Sequence, residues 1–218
     1  MTPARNCRFL SRVLSDGSVT DLFCPATLVV ARHAKAAFVE DWFSDEGGSL
    51  TSAGRAQAHA LADSLEGRRV ASIFTSDASR AVQTAEIVAA RLRVSVTACK
   101  SLREVAIGAL IGEPFDLSRI DAVTDEWYAG SLEARFEGGE SGVKVVERHR
   151  RQFEEIADLH RGETALVVGH QTALGIVVPT LARGVTPAWA RDNELGNTEF
   201  VELENDSDGW VLTSPRQA

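Results

Sequence analysis

Two histidines each lie just beyond a short hydrophobic run of the chain. His33 follows residues 27–31 and one arginine, and His170 follows residues 164–168 and one glycine. Such runs are typical of strands that are buried on both faces of a sheet. Ligands of parallel sheets bind beyond the carboxyl ends of the strands, so both imidazoles could meet in one site. On spacing alone, two unrelated histidines at strand–loop junctions fit equally well.

Arginines accompany these histidines and indicate the charge of a ligand. Arg32 directly precedes His33, and Arg80 falls in the first turn of a predicted helix over about 77–92. The segment Thr75-Ser76-Asp77 before it offers side chains that cap helix N-termini. A helix N-terminus and a guanidinium both favour phosphate. A solvated surface position is the alternative for Arg80, since most arginines are exposed.

A metal site is the other chemistry that paired histidines can support. Zinc needs a third protein ligand, and no local pair such as H-x-x-x-H is present. A cation beside Arg32 would be repelled, so we expect no metal. The three cysteines are scattered and form no C-x-x-C motif, which predicts reduced thiols in a cytoplasmic protein.

The overall composition narrows the classes of partner. The 218 residues carry a net charge of −8 without any cluster of lysine and arginine, which disfavours nucleic-acid binding. No segment is apolar over the length that a membrane span needs, and the first 26 residues do not read as a signal peptide. We therefore expect neither a nucleic-acid nor a membrane partner.

Hydrophobic runs alternate with helical patterns along the chain. The predicted strands cover about 27–31, 70–74, 94–98, 164–168, 198–204 and 209–213, and the helices about 52–66, 77–92, 117–128, 141–160 and 172–183. This alternation predicts an α/β fold with a mainly parallel central sheet and helices on both faces. We expect one domain over 26–218, with a lid or insertion at about 105–140. Residues 1–25 are expected to be an extension that joins this domain or is partly flexible.

Five sequence blocks then resemble the histidine phosphatase superfamily, also called phosphoglycerate mutase-like, over about residues 27–204. Their order along the chain is the family's order. The blocks are the Arg-His-Ala version of R-H-G within 28–34, the L-T-x-x-G-x-x-Q-A helix start at 50–58, S-x-x-x-R-A-x-x-T-A at 76–85, L-x-E-x-x-x-G at 102–108, and the strand into the second histidine at 167–170.

The resemblance implies a role for each matching residue. His33 would be the nucleophile that becomes phosphorylated, and Glu104 would be the general acid and then the general base. Arg32, Arg80 and His170 would bind the phosphoryl oxygens, with His170 counted among the catalytic residues. This chemistry needs a neutral His33 and favours a cationic His170. Without the resemblance, an exposed loop carboxylate is the simpler interpretation of Glu104.

The same resemblance implies a metal-independent phosphomonoester hydrolase that uses a phosphohistidine intermediate and no cofactor, on a small phosphorylated metabolite. A phosphoglycerate mutase-type phosphotransferase and a non-catalytic phospholigand-binding protein are the alternatives. Hydrolysis is favoured because residues 35–39 replace the mutase continuation E-S-x-W-N, and because residues 108–141 are short and lack the basic residues that a mutase uses. The oligomeric state is left open, with a homodimer as one option.

Several residues near the motifs bear on specificity. The family's glycines after the two histidines are replaced by Ala34 and Gln171. Trp42 and Phe43 could form the wall of a leaving-group pocket or cover the sheet. The other histidines are expected at the surface or the edge of the core; they are His59, His149 and His160.

Overall fold

The computed structural model describes residues 24–37, 41–45 and 47–217, without the side chains of 215 and 216. Its strands form one sheet of order β3-β2-β4-β1-β5-β6. The strands are β1 Ala26–Arg32, β2 Val70–Thr75, β3 Ser95–Ala98, β4 Thr164–Gly169, β5 Phe200–Asp206 and β6 Gly209–Gln217. The first four in spatial order are parallel, and β5 and β6 continue the sheet antiparallel. The predicted mainly parallel α/β fold is confirmed. Nearly all of the predicted N-terminal extension lies outside the described residues.

Helices flank the sheet close to the predicted positions. They are α1 Ser52–Ser64, α2 Ser79–Leu92, α3 Leu117–Tyr128, α4 Gly142–Leu159, α5 Gln171–Leu181 and α6 Trp189–Asp192. The four-residue α6 was not predicted, because so short a helix carries no periodic pattern. Two single 3₁₀ turns, Lys100–Leu102 and Gly108–Leu110, lie between β3 and α3.

Alternate residues of the strands face two separate cores. Val29 packs in one cluster with Ala85 of α2, and Leu28 packs in the other with Phe153 of α4. Successive strand side chains point to opposite faces, so a strand covered on both faces must be apolar throughout. This is the physical reason for the continuous hydrophobic runs in the sequence.

The start of α1 is fixed against the loop that follows β1. Thr51 caps the helix by accepting a hydrogen bond from the Gly54 nitrogen at 3.0 Å. A Cβ atom on Gly54 would lie 2.0 Å from the Lys35 carbonyl oxygen, so only glycine allows this approach. Gln57 accepts a hydrogen bond from the Lys35 nitrogen at 2.9 Å. The L-T-x-x-G-x-x-Q block therefore holds the backbone beside His33.

The start of α2 differs from the prediction. The residue that caps this helix is Ala78, which has no capping side chain. Ser76 Oγ instead accepts a hydrogen bond from the Ala78 nitrogen, and Asp77 pairs with Arg103. The predicted capping by residues 75–77 is thus wrong, although Arg80 does lie in the first turn.

The cysteines also differ in part from expectation. Cys24 is disulfide-bonded, whereas Cys99 carries a free thiol. The expectation of reduced thiols is wrong for Cys24. Separately, none of the described helices combines the length and the apolar character needed to cross a membrane.

Candidate active site

The pairing of β1 with β4 brings the two histidines together. Arg32 is the register partner of Gly169, so His33 and His170 each follow one member of that pair. The His33 nitrogen donates a hydrogen bond to the Gly169 oxygen at 3.0 Å. The two imidazole centroids are 5.2 Å apart. The expectation that the two imidazoles meet at one edge of the sheet is confirmed.

A single guanidinium joins these imidazoles. Arg80 donates from Nε to His33 Nε2 at 3.1 Å, and its Nη2 lies 3.0 Å from His170 Nδ1. Only 6% of Arg80 is exposed, so it is not the solvated surface arginine of the alternative interpretation. The first turn of α2 therefore places a buried cation between the two histidines.

These hydrogen bonds assign the protons on both rings. Arg80 can only donate, so Nδ1 of His170 accepts and the ring proton is on Nε2. That Nε2 atom is buried and, among the described residues, has no hydrogen-bond partner. His33 Nδ1 lies 2.8 Å from the Ala34 oxygen and donates to it, which places the lone pair on Nε2. The site thus combines a nucleophilic nitrogen with an unused N–H donor.

Burial keeps both imidazoles neutral. Burial lowers the pKa of His33 to about 3. The hydrogen bond to the Ala34 carbonyl opposes this shift, whereas the charges of Arg80 and Arg32 increase it. Burial, with Arg80, also lowers the pKa of His170 well below its usual value. The neutral His33 agrees with the nucleophile prediction. The expectation of a cationic His170 is wrong, because burial and the charge of Arg80 both oppose a second positive charge at this place.

Arg32 supplies the second guanidinium of the site. Its Nη1 donates to the Leu195 oxygen at 2.9 Å. Its Nε is buried without a hydrogen-bond partner among the residues that the structure describes. Burial lowers the pKa of Arg32, but an arginine side chain stays charged at neutral pH. Two cations are therefore concentrated here in a chain of net charge −8.

Glu104 lies at the N-terminus of the helix that follows His170. Its carboxylate accepts hydrogen bonds from the nitrogens of Thr172 at 3.0 Å and Ala173 at 2.8 Å, and from its neighbour Val105 at 2.9 Å. The exposed-loop interpretation is therefore wrong. The three N–H donors fix the orientation of the carboxylate at the start of α5.

Thr84 and Asn197 are supporting residues that the sequence analysis missed. Thr84 Oγ1 accepts a hydrogen bond from the Ala34 nitrogen at 3.0 Å and donates to the Arg80 oxygen at 2.8 Å. It is the threonine of the 76–85 block, so the motif carried a signal. Asn197 Nδ2 donates to the His33 oxygen at 2.9 Å from an irregular segment before β5, where no pattern pointed to it.

The residues that depart from the family pattern fit without strain. Ala34 is fully buried and does not have a positive φ, so the backbone there does not require glycine. Gln171 is the first residue of α5. Phe43 is buried against Phe115, with ring centroids 5.0 Å apart, whereas Trp42 is 52% exposed.

The remaining histidines divide into three situations. His59 is exposed on α1, as predicted. His149 is fully buried, so the expected surface or core-edge position is wrong; its Nδ1 lies 2.9 Å from the Val145 oxygen. His160 Nε2 lies 2.7 Å from Ser72 Oγ, which ties the end of α4 to β2. Within the described part of the chain, no three His, Cys, Asp or Glu residues are grouped to hold a metal ion.

The fold and this site define a class of α/β proteins that present paired histidines and arginines at the carboxyl ends of parallel strands. The family model described as the histidine phosphatase superfamily (branch 1) matches residues 28–217. The chain belongs to this family. The resemblance inferred from the five sequence blocks is thereby confirmed.

Relatives within the family carry both mutase and phosphatase names. A protein of Yersinia enterocolitica named "Probable phosphoglycerate mutase GpmB" is 29% identical over 174 residues, which are 76% of this chain and 80% of the relative. The mycobacterial glucosyl-3-phosphoglycerate phosphatase in complex with VO₃ is 25% identical, with a TM-score of 0.74 over 88% of this chain and 99% of that one. A phosphoglycerate mutase from Bacillus anthracis shares the fold at 20% identity and a TM-score of 0.68, over 88% of this chain and 93% of that one.

Proposed function

We propose that this protein is a metal-independent phosphomonoester hydrolase that transfers the phosphoryl group of a small phosphorylated metabolite to His33 and then to water. The observation that carries the proposal is the arrangement around Arg80. One guanidinium contacts the lone pair of His33 Nε2 and orients His170 so that its Nε2–H is available as a donor. This arrangement suits a tetrahedral anion placed between them.

In the first step, Arg80 exchanges its hydrogen bonds to the imidazoles for hydrogen bonds to the phosphoryl oxygens. Arg32 and the Nε2–H of His170 donate to these oxygens as well. The Nε2 lone pair of His33 attacks phosphorus while the bond from phosphorus to the leaving oxygen breaks. Glu104 gives its proton to that oxygen, and the negative charge of the bound phosphate favours the protonated carboxyl beforehand. The hydrogen bond from His33 Nδ1 to the Ala34 oxygen stabilises the phosphohistidine.

In the second step, a water molecule attacks phosphorus and gives a proton to Glu104. The phosphorus–nitrogen bond breaks and its electron pair returns to His33 Nε2. Inorganic phosphate leaves, and Glu104 again holds the proton needed for the next turnover. Positioning and charge stabilisation carry most of the rate enhancement in such transfers.

The charges near the guanidiniums favour hydrolysis over mutase activity. Besides the acid Glu104, the carboxylates that act on Arg32 and Arg80 belong to Glu194, Glu199 and Asp45. A mutase must retain a substrate that carries a second anionic group, which Glu194, Glu199 and Asp45 would repel. Mutase activity remains the second candidate because of the mutase-named relatives at 29% identity. Incubation with 3-phosphoglycerate separates the two, since a mutase forms the isomer and a hydrolase releases phosphate.

The decisive experiment uses p-nitrophenyl phosphate as a generic substrate. We expect turnover that EDTA does not reduce, and acid-labile phosphate on wild-type protein quenched during turnover. His33→Ala should lack both, whereas His59→Ala, a change at an exposed histidine, should retain both. Full turnover by His33→Ala, or loss of activity on chelation, would contradict the proposal.

The expected partners and compartment are still predictions. A small phosphorylated substrate without nucleic-acid or membrane partners agrees with the acidic composition. The disulfide at Cys24 does not support the predicted cytoplasmic setting, where thiols are kept reduced.

A further inference from the structure

Arg148 of α4 contacts the segment that carries Glu104. Its Nη1 donates to the carbonyl oxygens of Ser101 at 2.7 Å and Arg103 at 2.8 Å. Its Nη2 donates to the Glu104 carbonyl oxygen at 3.1 Å. One guanidinium thus binds three carbonyl groups of a single short stretch of backbone.

Glu140 completes this arrangement from the other side. Its two carboxylate oxygens accept from Arg148 Nε at 2.9 Å and Nη2 at 3.0 Å, as a fork-to-fork pair. One of them also accepts a hydrogen bond from the Ala106 nitrogen at 3.0 Å. The side chains of Arg148 and Glu140 are only 20% and 24% exposed, so this pair is less screened than a surface ion pair. The ion pair therefore holds the backbone both before and after Glu104.

The segment needs such support because it has no regular structure of its own. The 3₁₀ turn Lys100–Leu102 ends before Glu104, and residues 103–107 belong to no helix or strand. A catalytic side chain on an irregular segment must be held by its surroundings to within a fraction of an ångström.

We propose that Arg148 and Glu140 are positioning residues that set the place of Glu104 relative to the leaving oxygen of the substrate. This inference rests on the proposed hydrolase function and on Glu104 as its acid. Neither residue exchanges a proton with the substrate. Their effect on the reaction passes through residues 101–106.

The leaving group distinguishes this role from a general contribution to stability. A departing alkoxide needs a proton from Glu104, whereas p-nitrophenolate leaves as a stable anion without one. Misplacement of Glu104 should therefore slow the transfer from an alkyl phosphate selectively. The ratio kcat/KM is the proper measure, because it covers the steps up to the first phosphoryl transfer and excludes hydrolysis of the phosphohistidine.

The test compares Arg148→Lys with wild type on glycerol 2-phosphate and on p-nitrophenyl phosphate. Lysine keeps the charge but cannot form the fork or reach three carbonyl oxygens. We expect kcat/KM for the alkyl phosphate to fall about 100-fold, the lower end of general acid contributions, and that for p-nitrophenyl phosphate to fall less than about threefold. Glu104→Gln should give the same selective pattern.

The control is Arg151→Lys on the same helix, since Arg151 pairs with Glu147 at the surface. It should leave both ratios unchanged. If Arg148→Lys fails to fold by circular dichroism, Glu140→Gln replaces it. This change keeps the side-chain shape, removes the charge of the ion pair and leaves one acceptor oxygen for Arg148 and the Ala106 nitrogen. An equal fall on both substrates, or no fall on either, overturns the positioning role. A wild-type protein that hydrolyses neither substrate would instead refute the proposed function.

Discussion

Arg80 is the residue on which the histidine pair depends, since its guanidinium contacts a nitrogen of each ring. We expect Arg80→Lys to lower kcat with p-nitrophenyl phosphate by about 100- to 1,000-fold, the usual cost of one lost donor to the transition state. A lysine ammonium is a point charge and cannot span both imidazoles. The measurement is steady-state kinetics. Arg91→Lys on the same helix, at an exposed arginine that pairs with Asp63, should change kcat little. Near-wild-type activity of Arg80→Lys would show that the bridge is dispensable.

His149 makes the stability of the protein depend on pH. Burial and then Arg148 lower its pKa from 6.5 to about 3. Between these values the unfolded chain binds a proton that the folded protein does not, so the free energy of unfolding falls as the pH falls from 6.5 towards 3. The contribution of His149 to this slope approaches about 1.4 kcal/mol per pH unit well below pH 6.5.

We therefore expect His149→Gln to reduce this slope by about 1.4 kcal/mol per pH unit between roughly pH 6 and pH 4. Urea unfolding of both proteins across this range measures it. His59→Gln, at an exposed histidine, should keep the wild-type slope. Identical slopes for His149→Gln and wild type would mean that His149 is charged in the folded protein.

For single residues, the sequence motifs predict the members of the site better than they predict the protonation states of those members. His33, Arg32, Arg80, His170 and Glu104 were all identified from motifs. The neutral state of His170 follows from burial and from its contact with Arg80, and neither is visible in the sequence. The three backbone donors to Glu104 arise because a distant segment meets the start of α5, which is equally invisible.

Gly54 shows how one helix depends on a close backbone approach. We expect Gly54→Ala to lower the free energy of unfolding by about 1–3 kcal/mol or more, because the new methyl group would overlap the Lys35 carbonyl oxygen. Activity should fall as well, since α1 holds the loop beside His33. Chemical denaturation and p-nitrophenyl phosphate turnover measure the two effects.

The matched control is Ala56→Ser, which adds one atom at an exposed position of the same helix. It should change the free energy of unfolding by less than about 0.5 kcal/mol. Unchanged stability of Gly54→Ala would mean that α1 can move away from Lys35 without cost.

Elements with a strong hydrophobic pattern were predicted well. The strands β1 and β4 are buried on both faces, so their apolar runs mark them directly. The helix α3 was placed at 117–128, as observed. The start of α2 was misread, because polar residues at 75–77 suggested a capping side chain whereas the capping residue is Ala78. Local composition does not reveal which residue of a polar segment takes the N-cap position of the helix that follows.

For the molecule as a whole, the two buried guanidiniums of Arg32 and Arg80 beside the histidine pair predict stabilisation by anions that bind there. We expect inorganic phosphate at 100 times its Kd to raise the free energy of unfolding by about 2.7 kcal/mol. Thermal unfolding at increasing phosphate, with chloride at matched ionic strength as the control, measures it. Arg80→Lys should bind phosphate more weakly and shift less. Equal shifts with chloride and phosphate would indicate a general salt effect.

The central place of β1 in the sheet has a consequence for the order of folding. Its partner β4 begins only after the whole stretch from His33 to Glu163, and its other partner β5 lies further still. Pairings across so long a loop carry a large entropy cost and tend to form late. The N-terminal half of the chain, as it leaves the ribosome, therefore contains His33 and Arg80 but has no site to hold them. Catalytic competence should arise only in the final cooperative step, when β4 inserts between β2 and β1.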